Sequence, residues 1–236
     1  MIKVIQEHFS AVFDTFFPRL CYACTKPLLP VEEIICMECN FDMTKARNYN
    51  NPDSKLNKKF WGRVNLGGVV AFYVFRKDSK VQHLIHQLKY KGKHEIGELI
   101  GVKLGNLLLE EDSIIKNVDL VVPIPLHYKK FKKRGYNQCD SFAKGIAETL
   151  NVKYSTNAVE RITANESQTT KSKLDRWGNV AELFVVKDKS QLVGKHVLVV
   201  DDVITTGSTA EACLQTISEI ENIKISFAAI AAVSKV

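Results

Sequence analysis

No stretch of about 18 uncharged apolar residues occurs in this 236-residue chain, so none of it reads as a membrane-spanning helix. The opening MIKVIQEHFSAVFDTFFPRL comes nearest, but Glu7 and Asp14 interrupt it, which also spoils a signal-peptide reading. Proline is scarce and one-sided: all six lie at or before Pro125, and residues 126–236 have none. Six cysteines are too few for a disulfide scaffold. No GxxxxGK[ST] occurs, which excludes a Walker-type nucleotide loop. No internal repeat is visible. What is present is an ordinary globular composition, 45% hydrophobic and 25% charged, so disordered and collagen-like classes fall away. The length suggests one core domain of roughly 150–200 residues plus something small. Without a leader or span the expected place is the cytoplasm, where cysteines stay reduced or bind metal. The net charge of +7 is compatible with phosphate-bearing partners.

Along the chain, Ile2, Ile5, Phe9, Val12, Phe13 and Phe16 form a helical stripe that would dock on the body. Residues 40–63 turn polar and aperiodic and read as a linker or loose module. The expected division is therefore 1–63, a helix with a cysteine module and linker, and 64–236, the main domain. After residue 63, apolar strand-like runs (66–75, 118–125, 196–203, 225–233) alternate with helical patterns (79–90, 95–109, 138–150, 208–220). Gly97, Gly101 and Gly105 share one helical face and predict a close approach to another element. Continuous apolar strands separated by helices mean a sheet covered on both faces. The fold class is α/β, a doubly wound, mainly parallel sheet.

The most informative segment is LVVDDVITTGSTA, residues 198–210. A buried strand delivers Asp201 and Asp202 to the carboxyl edge of the sheet, where open α/β folds bind ligands. Thr205, Thr206, Gly207, Ser208 and Thr209 then open a helix. A helix N-terminus presents free N–H donors, and glycine lets the backbone curl around an anion. The carboxylates repel phosphate, so their partners are sugar hydroxyls or a divalent cation. Phosphate, hydroxyls and cation together spell a phosphorylated pentose. The segment resembles the phosphoribosyl pyrophosphate (PRPP) signature of type I phosphoribosyltransferases. A plain capped helix after a strand is the competing account.

A second run, PIPLHYKKFKKRGYNQ, follows the strand at 118–125 and carries Lys129, Lys130, Lys132, Lys133 and Arg134. Read as a loop at the same sheet edge, it would face the same crevice. Arg134, with Lys133 beside it, is the expected pyrophosphate grip, because a planar fork binds a diphosphate bidentately. The competing account is a solvated charge run. Asp201, Asp202 and Arg134 are the expected catalytic set. Cys21, Cys24, Cys36 and Cys39 form two C-x2-C pairs, a spacing suited to a closed, structural zinc site. Two disulfides are the alternative, disfavoured by a reducing compartment. His83 and His86 lack a third ligand nearby, and Cys139 and Cys213 read as small buried hydrophobes. The mixtures Lys58-Lys59-Phe60-Trp61 and Lys89-Tyr90-Lys91-Gly92-Lys93 read either as plain surface or, like 127–134, as the composition of a single-strand binder.

Four features in order, the cysteine cluster, PIP…RGYNQ, RITANESQTTKSKLDRWGNV and VLVVDDVITTGST, resemble the ComF family of competence-associated, phosphoribosyltransferase-like proteins. The resemblance implies a type I phosphoribosyltransferase-like domain with an N-terminal zinc knuckle and a PRPP or ribose 5-phosphate type ligand with Mg2+. It also implies a mobile covering loop containing Arg161, Thr163, Gln168, Leu174, Arg176 and Asn179. Transfer of ribose 5-phosphate with loss of pyrophosphate is the expected chemistry. A role in DNA uptake follows from the same resemblance, with single-stranded DNA and other uptake proteins as partners. The alternative is a PRPP-responsive, single-strand-binding factor without turnover.

Overall fold

The computed structural model describes residues 18–110, 112–162 and 183–233. The stripe at 2–17 and the expected loop residues Thr163, Gln168, Leu174, Arg176 and Asn179 lie outside them. In chain order the elements are α1 (Met37–Asp42), α2 (Lys55–Lys58), β1 (Val69–Phe75), α3 (Lys80–Tyr90), α4 (His94–Leu108) and β2 (Leu120–Pro123). Then follow α5 (Tyr128–Arg134), α6 (Gln138–Leu150), β3 (Lys153–Tyr154), β4 (Val159–Ile162), β5 (Leu183–Val186), β6 (His196–Ile204), α7 (Ser208–Ser218) and β7 (Lys224–Val233). Among the described residues no helix is long and apolar enough to cross a membrane.

Five strands form one parallel sheet in the order β1-β7-β6-β2-β3. β7 is buried from Ile225 through Ala232, the continuous apolar run that a sheet covered on both faces demands. Helices α3, α4 and α6 cover one face, where Leu84, Ile100, Phe142 and Ile146 meet Leu198, Val200 and Ile230. Helix α7 covers the other through Cys213, Leu214 and Ile217. The glycine face of α4 meets α6, and a Cβ on Gly101 would stand 2.5 Å from the Phe142 carbonyl oxygen. Any side chain there must push two helix backbones apart, which the packed pair resists.

Three stretches depart from expectation. Residues 40–63 are not a loose linker but the cover of the open β1 edge. The Asn48 side chain accepts from the Ala71 amide at 3.1 Å and donates to the Val69 carbonyl at 3.1 Å. Asn57 accepts from the Val69 amide at 2.8 Å. Side-chain amides thus replace the missing neighbour strand of an exposed edge. Phe60 is buried edge-to-face on Phe227, with centroids 5.7 Å apart, so it is core and not a platform for bases. The basic run is a helix, α5, and not a loop: His127 caps it by accepting the Lys129 amide at 3.2 Å, and Gly135 ends it at φ 79°. Finally β4 and β5 form a separate antiparallel hairpin that the polar pattern of 163–180 gave no reason to expect. Arg161, expected in the covering loop, is instead in β4, paired in register with Phe184 and stacked over its ring.

Candidate functional site

The topology locates the crevice before any side chain does. From β2 the chain crosses through α6 on one face to β3, and from β6 it crosses through α7 on the other face to β7. Neighbouring strands β2 and β6 therefore send their connections in opposite directions. The space beyond their carboxyl ends is the switch-point crevice of an open α/β sheet. β6 carries Asp201 and Asp202 here, just before its end at Ile204. From the β2 side the start of α6 brings Asn137, Gln138 and Cys139.

Asp202 is buried, and both its oxygens are engaged. Lys89 Nζ, from the last turn of α3, lies 2.8 Å from Oδ1, and Gln138 Nε2 donates to Oδ2 at 2.5 Å. Asp201 Oδ1 accepts the Asp202 amide at 2.7 Å, and the Cys139 thiol lies 3.5 Å away. Burial, and then the charge of Asp202, push the Asp201 carboxyl up to about 7. Burial also raises the Cys139 thiol, which stays protonated at neutral pH. Cys139, Asp201 and Asp202 can bring three ligand atoms within 4.8 Å of one another. With a thiol in the set and Lys89 already on Asp202, this is not an oxygen cage suited to Mg2+.

Arg134, at the end of α5, donates to Gln138 Oε1 and stacks over the Tyr90 ring at 4.9 Å. Tyr136 donates its hydroxyl hydrogen to the Leu88 carbonyl, and its ring meets His94 at 4.1 Å. The RGYNQ segment is thereby clamped on the end of α3, and Arg134 joins the acids through one amide. Lys133 is exposed beside it. The sequence singled out Asp201, Asp202 and Arg134 but not Lys89, which it grouped with the surface lysines. The local signal for Lys89 is nil, since only the end of α3 carries it to the sheet edge.

Beyond the acids, Thr205 and Thr206 are exposed and Gly207 adopts φ 89°, a left-handed turn that opens α7. A Cβ there would stand 3.3 Å from the Phe60 ring. Thr206 Oγ1 and Ser208 Oγ lie 3.0 Å apart, and the Ser208 amide donates to Thr206 Oγ1 at 3.4 Å, so small hydroxyls cluster at the helix start. Thr209 follows within the first turn. Lys59 donates to the Thr205 carbonyl, so one of the supposed DNA-facing lysines is spent bracing this loop.

The four N-terminal cysteines form a separate centre. Their sulfurs all lie within 4.8 Å of one another, and the Cys24 and Cys36 sulfurs are 3.8 Å apart. A tetrahedral zinc–thiolate site with ~2.3 Å bonds has sulfur–sulfur edges of about 3.8 Å, so the cluster is compatible with zinc. Amides of Cys36 and Cys39 point at the Cys21 and Cys36 sulfurs at 3.3 and 3.4 Å. Burial opposes ionisation of Cys21, but amide donors from Cys36, Ala23 and Cys24 outweigh it and bring that thiol to about 7. Cys39 is pushed the other way, first by burial. Burial raises Cys36 as well, and a bound cation would supply the charge that lets Cys36 and Cys39 ionise. The module leans on α4: Tyr22 donates to Glu95 at 2.8 Å, and Lys103 donates to Asn40 at 2.6 Å.

Residues 137–235 match the model of the phosphoribosyl transferase domain. The chain is 27% identical over 216 residues to the DNA utilization protein YhgH of Escherichia coli, covering 84% of this chain and 90% of that one. It is 33% identical over 96 residues to competence protein F of Haemophilus influenzae, covering 40% and 42% of the two chains. Among solved structures it resembles the glutamine PRPP amidotransferase of B. subtilis, with 18% identity and a TM-score of 0.42, covering 61% of this chain and 30% of that one. At that distance the likeness bears on neither chemistry nor partners.

Proposed function

We propose that this chain, which belongs to the family of DNA utilization protein YhgH and competence protein F and carries a phosphoribosyltransferase domain, binds PRPP in the β2/β6 crevice and transfers its ribose 5-phosphate group to an acceptor with release of pyrophosphate. The observation that carries this reading is the placement of an acid pair beside a small-residue loop with a left-handed glycine, at the switch point of the sheet. Residues 205–209 would take the 5′-phosphate through their amides and hydroxyls. Asp201 and Asp202 would accept the ribose hydroxyls. Arg134, with Lys133 at its side, would stabilise the charge that develops on the departing diphosphate. Mg2+ would supply further neutralisation on the ligand's own oxygens. Zinc, held by Cys21, Cys24, Cys36 and Cys39, would be structural, since four thiolates leave no open coordination position.

Calorimetry with PRPP and Mg2+, followed by a pyrophosphate-release assay across candidate bases, tests this. Binding with release supports transfer. Absence of binding by folded protein overturns the whole reading.

A second reading, a PRPP-responsive factor that handles single-stranded DNA in uptake without turnover, is favoured by α5. None of its residues is buried, and Tyr128 and Phe131 are 60% and 48% exposed among four lysines. Exposed rings stack on bases while lysines follow phosphates. Trp61, 59% exposed beside Lys58, adds a second platform. Fluorescence anisotropy with an oligonucleotide, with and without PRPP, separates the two sites. Competition by PRPP would mean that the DNA merely filled the anion crevice. A strong salt dependence with a salt-resistant remainder marks combined charge and stacking.

A further inference from the structure

Lys89 has a partner but not an obvious purpose. A carboxylate that only accepts ribose hydroxyls needs no resident ammonium. An ion pair kept only for stability needs no opening to solvent. Yet the side chain of Lys89 is 22% exposed while that of Asp202 is 9% exposed, so the pair faces the crevice through its lysine. An ammonium has three donors, and Asp202 takes one of them. Arg134 approaches the same carboxylate from its other oxygen, through Gln138, and lies over Tyr90, the residue next to Lys89. Two cations thus flank one buried carboxylate at the crevice mouth.

We infer that Lys89 is a ligand-binding residue: its ammonium leaves Asp202 Oδ1 to take charged oxygens of a diphosphate that Arg134 grips from the other side, and so frees that oxygen for a ribose hydroxyl. The inference rests on reading the crevice as a PRPP site. It exchanges one ion pair for another, so neither the buried carboxylate nor the lysine is stranded without a partner, the costly outcome in a desolvated site. It also gives the crevice a fixed cation at the place where its acids and thiol cannot cage a metal ion.

The test compares PRPP with ribose 5-phosphate, which lacks the diphosphate, by calorimetry on the full zinc-loaded chain. Lys89→Met should weaken PRPP about tenfold more than it weakens ribose 5-phosphate, the size of a lost charge-assisted contact. Lys89→Arg should recover most of the PRPP affinity. A lysine that merely holds Asp202 would move both ligands equally, and that result, or no change at all, overturns the assignment while leaving the PRPP site standing. Wild type that is folded yet binds neither ligand overturns the site itself, and Lys89's role with it. Should Lys89→Met not fold, amine-acetylation footprinting of the wild type decides. PRPP should shield Lys89 and ribose 5-phosphate should not, and equal labelling with both ligands counts against the inference.

Discussion

The cysteine module and the crevice both crowd groups that would rather not be crowded, and they assemble them in opposite ways. The module collects four thiols from residues 21–39, on two short turns joined by a compact loop. The crevice collects Asp202 from β6, Gln138 from α6, Lys89 from α3 and, one step away, Arg134 from α5. In the module, like groups would share one centre as thiolates only with an ion between them. In the crevice, unlike groups already compensate one another, and a ligand has to exchange partners with them. The first arrangement would be closed and structural. The second is poised.

The largest expected effect tests whether the module depends on its ion. Cys36→Ser should reduce zinc from about one equivalent per chain to none, because binding and local folding are one process worth on the order of 10 kcal/mol in small zinc modules. Metal analysis reads the loss, and amide exchange should rise sharply across residues 21–39 while the five-stranded sheet stays protected. Zinc-free wild type with a protected module would break the comparison at its root.

In the crevice, Asp202→Ala should leave zinc content unchanged and weaken PRPP by roughly 5- to 150-fold, the equivalent of about 1–3 kcal/mol for lost hydrogen bonds. Calorimetry alongside metal analysis separates the two regions. Unchanged affinity in a folded variant would remove Asp202 from the site.

A smaller effect follows from Asp201. Its carboxyl is held at about 7 by burial and by the charge of Asp202, against about 4 in an unfolded chain. Between those values the folded state keeps a proton that the unfolded state has lost. Its contribution to stability is therefore complete below about pH 4 and is lost as pH rises through about 7. Thermal melts from pH 5 to 8 should fall with this slope in the ligand-free wild type. Asp201→Asn should flatten it, and an identical slope in both proteins would contradict the shift.

The smallest effect probes the tie between the regions. Tyr22→Phe removes the hydroxyl that donates to Glu95 at the start of α4 and should cost about 0.5–1.5 kcal/mol in denaturant titrations. Zinc and PRPP binding should both persist. A loss of PRPP affinity here would mean that the module and the crevice are coupled through α4.

The same contrast marks how far the sequence could be read. The C-x2-C pairs, the acid pair and the TTGST turn are local, with each motif's residues lying within a few positions and their chemistry set by covalent reach. The strands and helices that carry them followed from unbroken apolar runs and from 3.6-residue stripes, which report burial directly. Residues 40–63 misled because asparagines that replace a strand's hydrogen bonds look, in sequence, like asparagines in solvent. The α5 segment misled because a helix with no buried face has no apolar stripe to announce it.

By itself the sequence determined the parallel α/β sheet, the cysteine centre and the strand–acid–glycine turn, because each depends on neighbours in the chain or on a periodicity of burial. Only the tertiary structure decided that Lys89 belongs to Asp202 rather than to solvent, and that Arg134 reaches the acids through Gln138. It alone also decided that Phe60 is core and that Lys59 braces the turn. Those pairings join residues on separate elements, and an ion pair or a ring contact depends on distance in space, which the crossing of α3 and α6 over the sheet sets and no local pattern records.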